Sequence, residues 1–378
     1  MNPLVRREPV LNRQKAITAS RLIVHAPAAA AAVATLNSLA DIWPTTRNVL
    51  VGLAGCEPDV SLLEWRPPEN ALLEFPAPLL ATAAGQELAC RLDAGGTTLC
   101  LDDYADAMAL PPTPKFRFAL ADAHLNPQVS LAPAVPLAKR LADHQAFAHA
   151  IDNGYAGASG WFFLHGLPRS SAKLNPSHAQ IIHILNLVRQ NADIGDIETA
   201  LKQNISISFK LLRYINSAGF GLANQIESFR HAVTLIGYDK LNKWLSLLLV
   251  TASHDQAAAA LMQTAIARGH FMELVAAGAI ERSQLDNLFI TGSFSLLDAL
   301  LGTKIEAVLK ELNLPATIST ALLNRSGPYA PYLELALACE NEDVGDLAAR
   351  ATALGLAAEK INRAQIEALS FADSLQLD

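Results

Sequence analysis

At Gly166-Leu167-Pro168-Arg169-Ser170-Ser171 the chain changes its periodicity, and this change limits the available folds more than any other feature. Before it, short apolar runs alternate with helical patterns. Val49–Leu53, Asn70–Phe75, Thr97–Leu101 and Phe116–Leu120 read as strands; Ala28–Leu39, Pro78–Leu92 and Leu137–Asn153 read as helices. Strands alternating with helices imply a largely parallel sheet of βαβ type. After the break, strand signal almost vanishes. Ser177 and Gln180 form a capping box ahead of Ile181, Ile184, Leu185 and Val188 at helical spacing. Further helices are expected over 196–203, 206–215, 228–236, 240–253, 256–277, 289–301, 304–312, 347–358 and 363–374. A chain of 378 residues is too long for one compact core. The boundary is therefore placed at the break: 1–168 as an α/β domain, 169–378 as an all-α domain with a helical extension. The apolar tail 346–377 is expected to pack on a core or to mediate dimerisation.

Composition narrows the function classes. Hydrophobic residues make up 51% and charged residues 17% of the chain, which suits a packed globular protein. A net charge of −7 argues against a nucleic-acid binder that works by neutralising phosphates. No apolar run reaches the roughly 18 residues that span a bilayer, and the alanine-rich 26–34 run reads as a small-residue helix rather than an export signal. Cys56, Cys90, Cys100 and Cys339 form no CxxC pair and read as small buried hydrophobes in a reducing compartment. The expectation is a cytoplasmic protein with no nucleic-acid or membrane partner.

The second half carries a specific pattern. Ser208–Gly221 places Leu211, Leu212 and Asn216 before a Ser-Ala-Gly helix stop, and Ile226–Gly237 places Ala232 and Gly237 on and after the next helix. These runs resemble the HDOD family, helical relatives of HD phosphohydrolases that lack the metal ligands. The residues of this pattern are mainly structural: packing leucines, a capping or bridging asparagine and a glycine helix end. His254-Asp255 is literally an HD dipeptide, with His231 upstream and Asp286 or Asp298 downstream as further ligands by sequence alone. It lies in a polar break between helices rather than on a buried face, which reads against a metal site. Asn287–Asp298 (NLFITGSFSLLD) reads either as small residues permitting close helix packing or as a groove lined by Thr291, Ser293 and Ser295.

The first half resembles an EAL domain, a modified (β/α)₈ barrel that cleaves cyclic di-GMP with two carboxylate-held metal ions. Arg7-Glu8-Pro9-Val10 matches the opening strand, and the Glu-Ala/Leu-Leu signature then falls on Arg21-Leu22-Ile23. The resemblance implies that Arg21 stands at a metal-binding glutamate, Gly52 at an asparagine, and that Glu74, Asp102 and Asp103 are retained carboxylates. It also implies that Phe116–Ala119 replaces a Lys-Ile-Asp run and Ala142–Gln145 an Ala-Glu-x-Val-Glu run. Ser159-Gly160-Trp161-Phe162 replaces a Gln-Gly-Tyr-Phe run. Asp102-Asp103 also suits a plain helix cap. A full barrel takes about 200–250 residues, so 168 imply an incomplete or eroded one. The expected whole is α/β plus all-α: an eroded EAL-type barrel, then an HDOD domain. No catalytic residue, metal or cofactor is assigned. The expected function is non-enzymatic signal transduction through protein–protein contacts with an unidentified signalling partner, with a homodimer as a further option. A sensor that binds cyclic di-GMP or another nucleotide without cleaving it is the alternative, and residual phosphodiesterase activity a further one.

Overall fold

Eight strands close into one barrel in sequence order, β1 to β8. The structure, a computed structural model, describes residues 2–105, 110–129, 134–165, 176–203, 229–251 and 258–375. The strands are β1 Leu4–Asn12, β2 Ile17–His25, β3 Asn48–Ala54, β4 Ala71–Pro76, β5 Thr98–Asp102, β6 Phe116–Asp122, β7 Val135–Lys139 and β8 Gly157–Ser159. β1 runs antiparallel to both β2 and β8, and all other neighbours are parallel. The strand set is therefore complete, and the barrel is short because its helical layer is thin. Three α-helices accompany it: α1 Ala29–Ser38, α2 Ala83–Ala94 and α3 His144–Asp152. α1 buries Ala29, Ala32, Val33 and Leu36, the helical stripe that its sequence spacing demands. No helix is described between β5 and β6 or between β6 and β7.

The Ala142–Gln145 run is not a strand. The Asp143 carboxylate accepts from the backbone N–H groups of Gln145 and Ala146, both at 2.9 Å, and so caps the start of α3. The strand in question is β7, which starts nine residues before α3 and ends Leu137-Ala138-Lys139.

The contacts divide the chain into two compact units that do not follow the expected boundary. One comprises residues 1–167, 255–263 and 334–378; the other comprises 168–254 and 264–333. The tail thus belongs with the barrel, not with the helical unit. The reason lies in β1. β8 reaches only Val10, Leu11 and Asn12 of β1, which leaves the first half of that edge without a strand partner. The helix Ala358–Ser374 covers it. Asn362 Oδ1 accepts from Val5 N–H at 2.9 Å, Asn362 Nδ2 donates to Pro3 O at 3.1 Å, and Gln365 Nε2 donates to Val5 O at 2.6 Å. Both side chains are buried, so side-chain amides replace the missing strand's peptide groups. Asn362→Ala leaves a buried N–H and a buried C=O unpaired and is expected to lower the unfolding free energy by about 1–3 kcal/mol. Urea denaturation of the full chain measures this, and an unchanged midpoint counts against the edge-capping role.

In the helical unit, α4 Pro176–Arg189 and α5 Ile194–Lys202 precede a helix over Phe229–Val250, followed by Arg282–Phe294, Leu297–Leu301, Ile305–Glu311 and Ala316–Asn324. Gly237 has φ 75° and ψ 169°, which breaks Phe229–Val250 into two helices where the sequence places a stop. Leu211, Leu212, Asn216 and the His254-Asp255 pair lie outside the described residues, as do the side chains of His231 and Ala232. The Asn287–Asp298 run is a packing surface. A Cβ on Gly292 would lie 2.7 Å from Gly269 Cα, and Thr291 and Ser293 are fully buried at this crossing. Cys100 and Cys339 are buried as expected, whereas Cys56 is half-buried and Cys90 exposed. Among the described residues no helix is long and apolar enough to cross a membrane.

Candidate functional site at the barrel mouth

The barrel interior is layered. Val10, Ala19, Leu50, Leu72, Cys100, Leu120 and Leu137 form one buried apolar cluster, one residue from each of seven strands. Side chains on a strand return to the same face every second residue. Two residues further along each parallel strand stand Arg21, Gly52, Glu74, Asp102, Asp122 and Lys139, and two residues back along antiparallel β1 stands Glu8. Ser159 completes the ring on β8, where the register that pairs Leu137 with Gly157 and Ala138 with Ala158 brings it beside Lys139. A polar ring therefore lies directly above the apolar layer, at the carboxyl ends of the parallel strands. That is the end at which barrel enzymes place their sites.

The ring is an ion-pair network. Arg21 is bidentate to Glu74, with Nε to Oε1 and Nη2 to Oε2 both at 2.7 Å. Its Nη1 reaches Glu8 Oε2 at 3.1 Å, and Nη2 lies 3.6 Å from Asp102 Oδ1. Lys139 Nζ sits 2.5 Å from Asp102 Oδ1 and 2.7 Å from Asp103 Oδ1. Arg140 reaches Asp122 at 3.2 Å. Gly52 is what makes room for the central pair, because a Cβ there would lie 2.5 Å from Glu74 Oε2. Burial works against the Arg21 cation, but Glu74, Glu8 and Asp102 outweigh it and hold its pKa well above the ordinary value. Burial likewise opposes charge on Asp102, yet Arg21 and Lys139 hold its carboxyl below the usual range. Burial pushes the Glu74 carboxyl pKa up, and the bidentate guanidinium opposes that rise. Asp103 and Arg140, directly after β5 and β7, both adopt left-handed φ (52° and 60°), a strained backbone that persists where surrounding contacts enforce it. Ser159 Oγ is buried with no hydrogen-bond partner among the described residues.

Around this ring lies a cavity of about 540 Å³. Its outer wall includes Arg6, His25, Arg140, Trp161, His165 and Glu340–Glu342. Arg6 Nε donates to His25 Nε2 at 3.1 Å and Arg6 Nη1 to Asn341 O at 2.8 Å. Accepting that bond requires a neutral imidazole. Burial and the adjacent Arg6 cation pull the His25 pKa down to about 4. The unfolded chain, with His near its usual pKa, therefore binds more protons below about pH 6.5. Stability is expected to fall as the pH drops from about 6.5 towards 4, and His25→Gln is expected to flatten that part of the profile. Urea midpoints between pH 7 and 4.5 measure this; an identical slope in the variant would assign the acid loss to other groups.

Of the residues singled out in the sequence, the structure joins Arg21, Glu74, Asp102, Asp103 and Ser159 in one ring. Asp102 and Asp103 pair with Lys139 rather than serving as a plain helix cap. Glu8, Asp122, Lys139 and Arg6 were not singled out. Period-two counting from the apolar strand residues would have found the first three. The Ala-Glu pattern of the EAL resemblance falls on Ala138-Lys139 at the end of β7, so a second glutamate position carries a cation. The divalent ions implied by that resemblance do not fit these residues. The carboxylate oxygens that would ligate them lie 2.5–3.1 Å from guanidinium or ammonium nitrogens. Among the described residues no group of three or more His, Cys, Asp or Glu is placed to hold a metal. In the helical unit, Asp286 is taken by Lys243 Nζ at 3.1 Å.

The HDOD domain profile matches residues 174–300. The chain carries an HDOD domain. Its layout is a closed eight-stranded barrel followed by a helical region that holds the HDOD match. The cyclic di-GMP phosphodiesterase CdgJ of Vibrio cholerae serotype O1 is 29% identical over 233 residues, 61% of this chain and 54% of that protein. The uncharacterized protein YuxH of Bacillus subtilis is 25% identical over 211 residues, 55% of this chain and 51% of that protein. The chain spans about half the length of these curated relatives. The FimX EAL domain from Pseudomonas aeruginosa, solved with c-di-GMP, is similar at 12% identity and a TM-score of 0.32, over 44% of this chain and 90% of that one. The expectation of a chain that is not an enzyme is overturned here. A relative with this HDOD-bearing sequence is named a phosphodiesterase, and that points towards an enzyme.

Proposed function

We propose that this EAL–HDOD chain is a signal-transduction protein of cyclic di-GMP pathways, with the barrel mouth as its dinucleotide site and the HDOD helices as the surface that meets a signalling protein. The observation that carries the reading is the cavity of about 540 Å³ above the polar ring. It is of ligand size, lies at the strands' carboxyl ends, and combines cations for phosphates with an indole for a base. Arg140 is the best-placed phosphate donor because its side chain is 55% exposed and bound only at one edge by Asp122. Trp161, already stacked under Arg7 at 5.6 Å, offers the aromatic face. The name of the Vibrio relative favours a second reading, turnover of the bound dinucleotide. That reading requires the carboxylates of the ring to exchange Arg21 and Lys139 for ions.

One experiment addresses both. The full chain is titrated with cyclic di-GMP by calorimetry, with and without magnesium or manganese, and the linear product is followed by chromatography. Saturable binding that Arg140→Ala weakens supports the site. Metal-dependent product supports turnover. No heat and no product under any condition sinks the proposal.

A further inference from the structure

The helical unit holds a cavity of about 460 Å³ lined by Val188, Arg189, Asn191, Tyr238, Asn242 and Asn313, with Asp239 and Leu314 also on its wall. Arg189, the last residue of α4, is the unusual member. Arg6, Arg7 and Arg21 in the other unit are all buried, and each faces a carboxylate. Arg189 faces none among the described residues. Its Nε donates to Asn242 Oδ1 at 2.8 Å and its Nη2 reaches Ser246 Oγ at 3.4 Å, both neutral acceptors. Its Nη1 is shielded from solvent and has no hydrogen-bond partner among the described residues. The Phe294 ring, 6.0 Å away, supplies only a weak cation–π contact. Asp239 shares the cavity wall but makes no ion pair with it and is exposed.

A half-buried cation without a counter-charge costs free energy, and so does an unmade hydrogen bond on a nitrogen shielded from solvent. Burial alone pulls the Arg189 pKa down to about 9, which still leaves the guanidinium charged at neutral pH. The described residues thus keep a positive charge beside a cavity whose one acidic wall residue, Asp239, makes no ion pair with it. The rest of the wall suits a ligand rather than a packing defect. The Asn191, Asn242 and Asn313 side chains offer amide groups, Val188, Leu314 and Ile318 offer an apolar side, and the Tyr238 ring is held by its hydroxyl on Ala192 O at 2.7 Å. We propose that this cavity is a binding site for a small phosphate-bearing ligand whose anionic group pairs with Arg189. The inference is independent of the barrel mouth, because the cavity is built within the helical unit alone.

The test uses the full chain in a phosphate-free buffer at constant ionic strength. Inorganic phosphate and guanosine monophosphate are the two probes, read by calorimetry and by thermal unfolding, with chloride as the control. Saturable binding of either probe is expected, and tighter binding of the nucleotide assigns an esterified rather than a free phosphate. Arg189→Met is expected to weaken binding at least about tenfold, and to raise the unfolding midpoint of the ligand-free chain because the unpaired cation is gone. A purely structural arginine predicts the opposite shift in midpoint. Leu314→Trp fills the cavity and leaves Arg189 in place, so it is expected to abolish the phosphate response in a folded protein. Binding unchanged in both variants, or no response to either probe, overturns the proposal.

Discussion

Arg21→Ala is expected to lower the unfolding free energy by about 3–5 kcal/mol, among the largest effects of any single side chain in the barrel. The size follows from what is left behind. Glu74 is 3% exposed and Glu8 is 8% exposed, and Arg21 is the group that bonds both. Removing it leaves Glu74 without its bidentate partner in a region where burial pushes that carboxyl's pKa up, and leaves Glu8 with only the longer 3.6 Å contact to Arg6. The loss belongs to the broken pair rather than to the arginine itself. Arg21→Met combined with Glu74→Leu is therefore expected to recover most of it, because well-packed apolar replacements of a buried pair are often neutral or better. Chemical denaturation of the two single variants and the double variant closes the cycle. Equal losses in Arg21→Ala and the double variant would show that the ring contributes packing and not charge.

The second large effect is a change in metal response. Arg21→Glu with Lys139→Glu converts the ring from interleaved charges to carboxylates alone, with Glu8, Glu74, Asp102, Asp103 and Asp122 already present. In chelator the double variant is expected to unfold well below the parent, because like charges crowd the mouth. Magnesium or manganese at about a hundredfold above its dissociation constant is expected to restore about 2.7 kcal/mol. The parent is expected to gain less, since its cations compete for the same oxygens. Differential scanning fluorimetry against metal concentration reads both. A parent that gains as much as the variant would show that its ring opens to admit ions, and would strengthen the reading of turnover at the mouth.

Arg21 and Lys139 also show where sequence reasoning succeeds and where it stops. Arg21 was legible because it sits close to the start of the chain, where few residues intervene between the Arg7–Val10 strand and the signature position. Lys139 was not, because the loop after β6 let the pattern slide onto Ala142–Gln145, a segment whose Asp143 caps a helix. Glu8 and Asp122 were missed for another reason. Each is an ordinary charged residue within its strand; period-two counting puts it on the inner face, and the register of neighbouring strands puts it level with Arg21 and Glu74. Arg189 gave no signal at all. A basic residue in the last turn of a helix is the expected complement to the helix dipole, and its lack of a counter-charge depends on neighbours more than fifty positions away.

By itself the sequence determined the local elements: the four recognised strands, the stripe of α1, the stop at Gly237 and the change from α/β to all-α near residue 168. Those depend on side-chain periodicity and backbone preference over a few residues. The tertiary structure alone decided that eight strands close the barrel, that the tail helix joins that barrel, and that acids and bases pair around its mouth. The tail returns because a three-residue β8 leaves Val5 with peptide groups to satisfy, and Asn362 and Gln365 lie at the right height to do so. Such matches form between residues hundreds of positions apart, and their free energy exists only once the strands are in register.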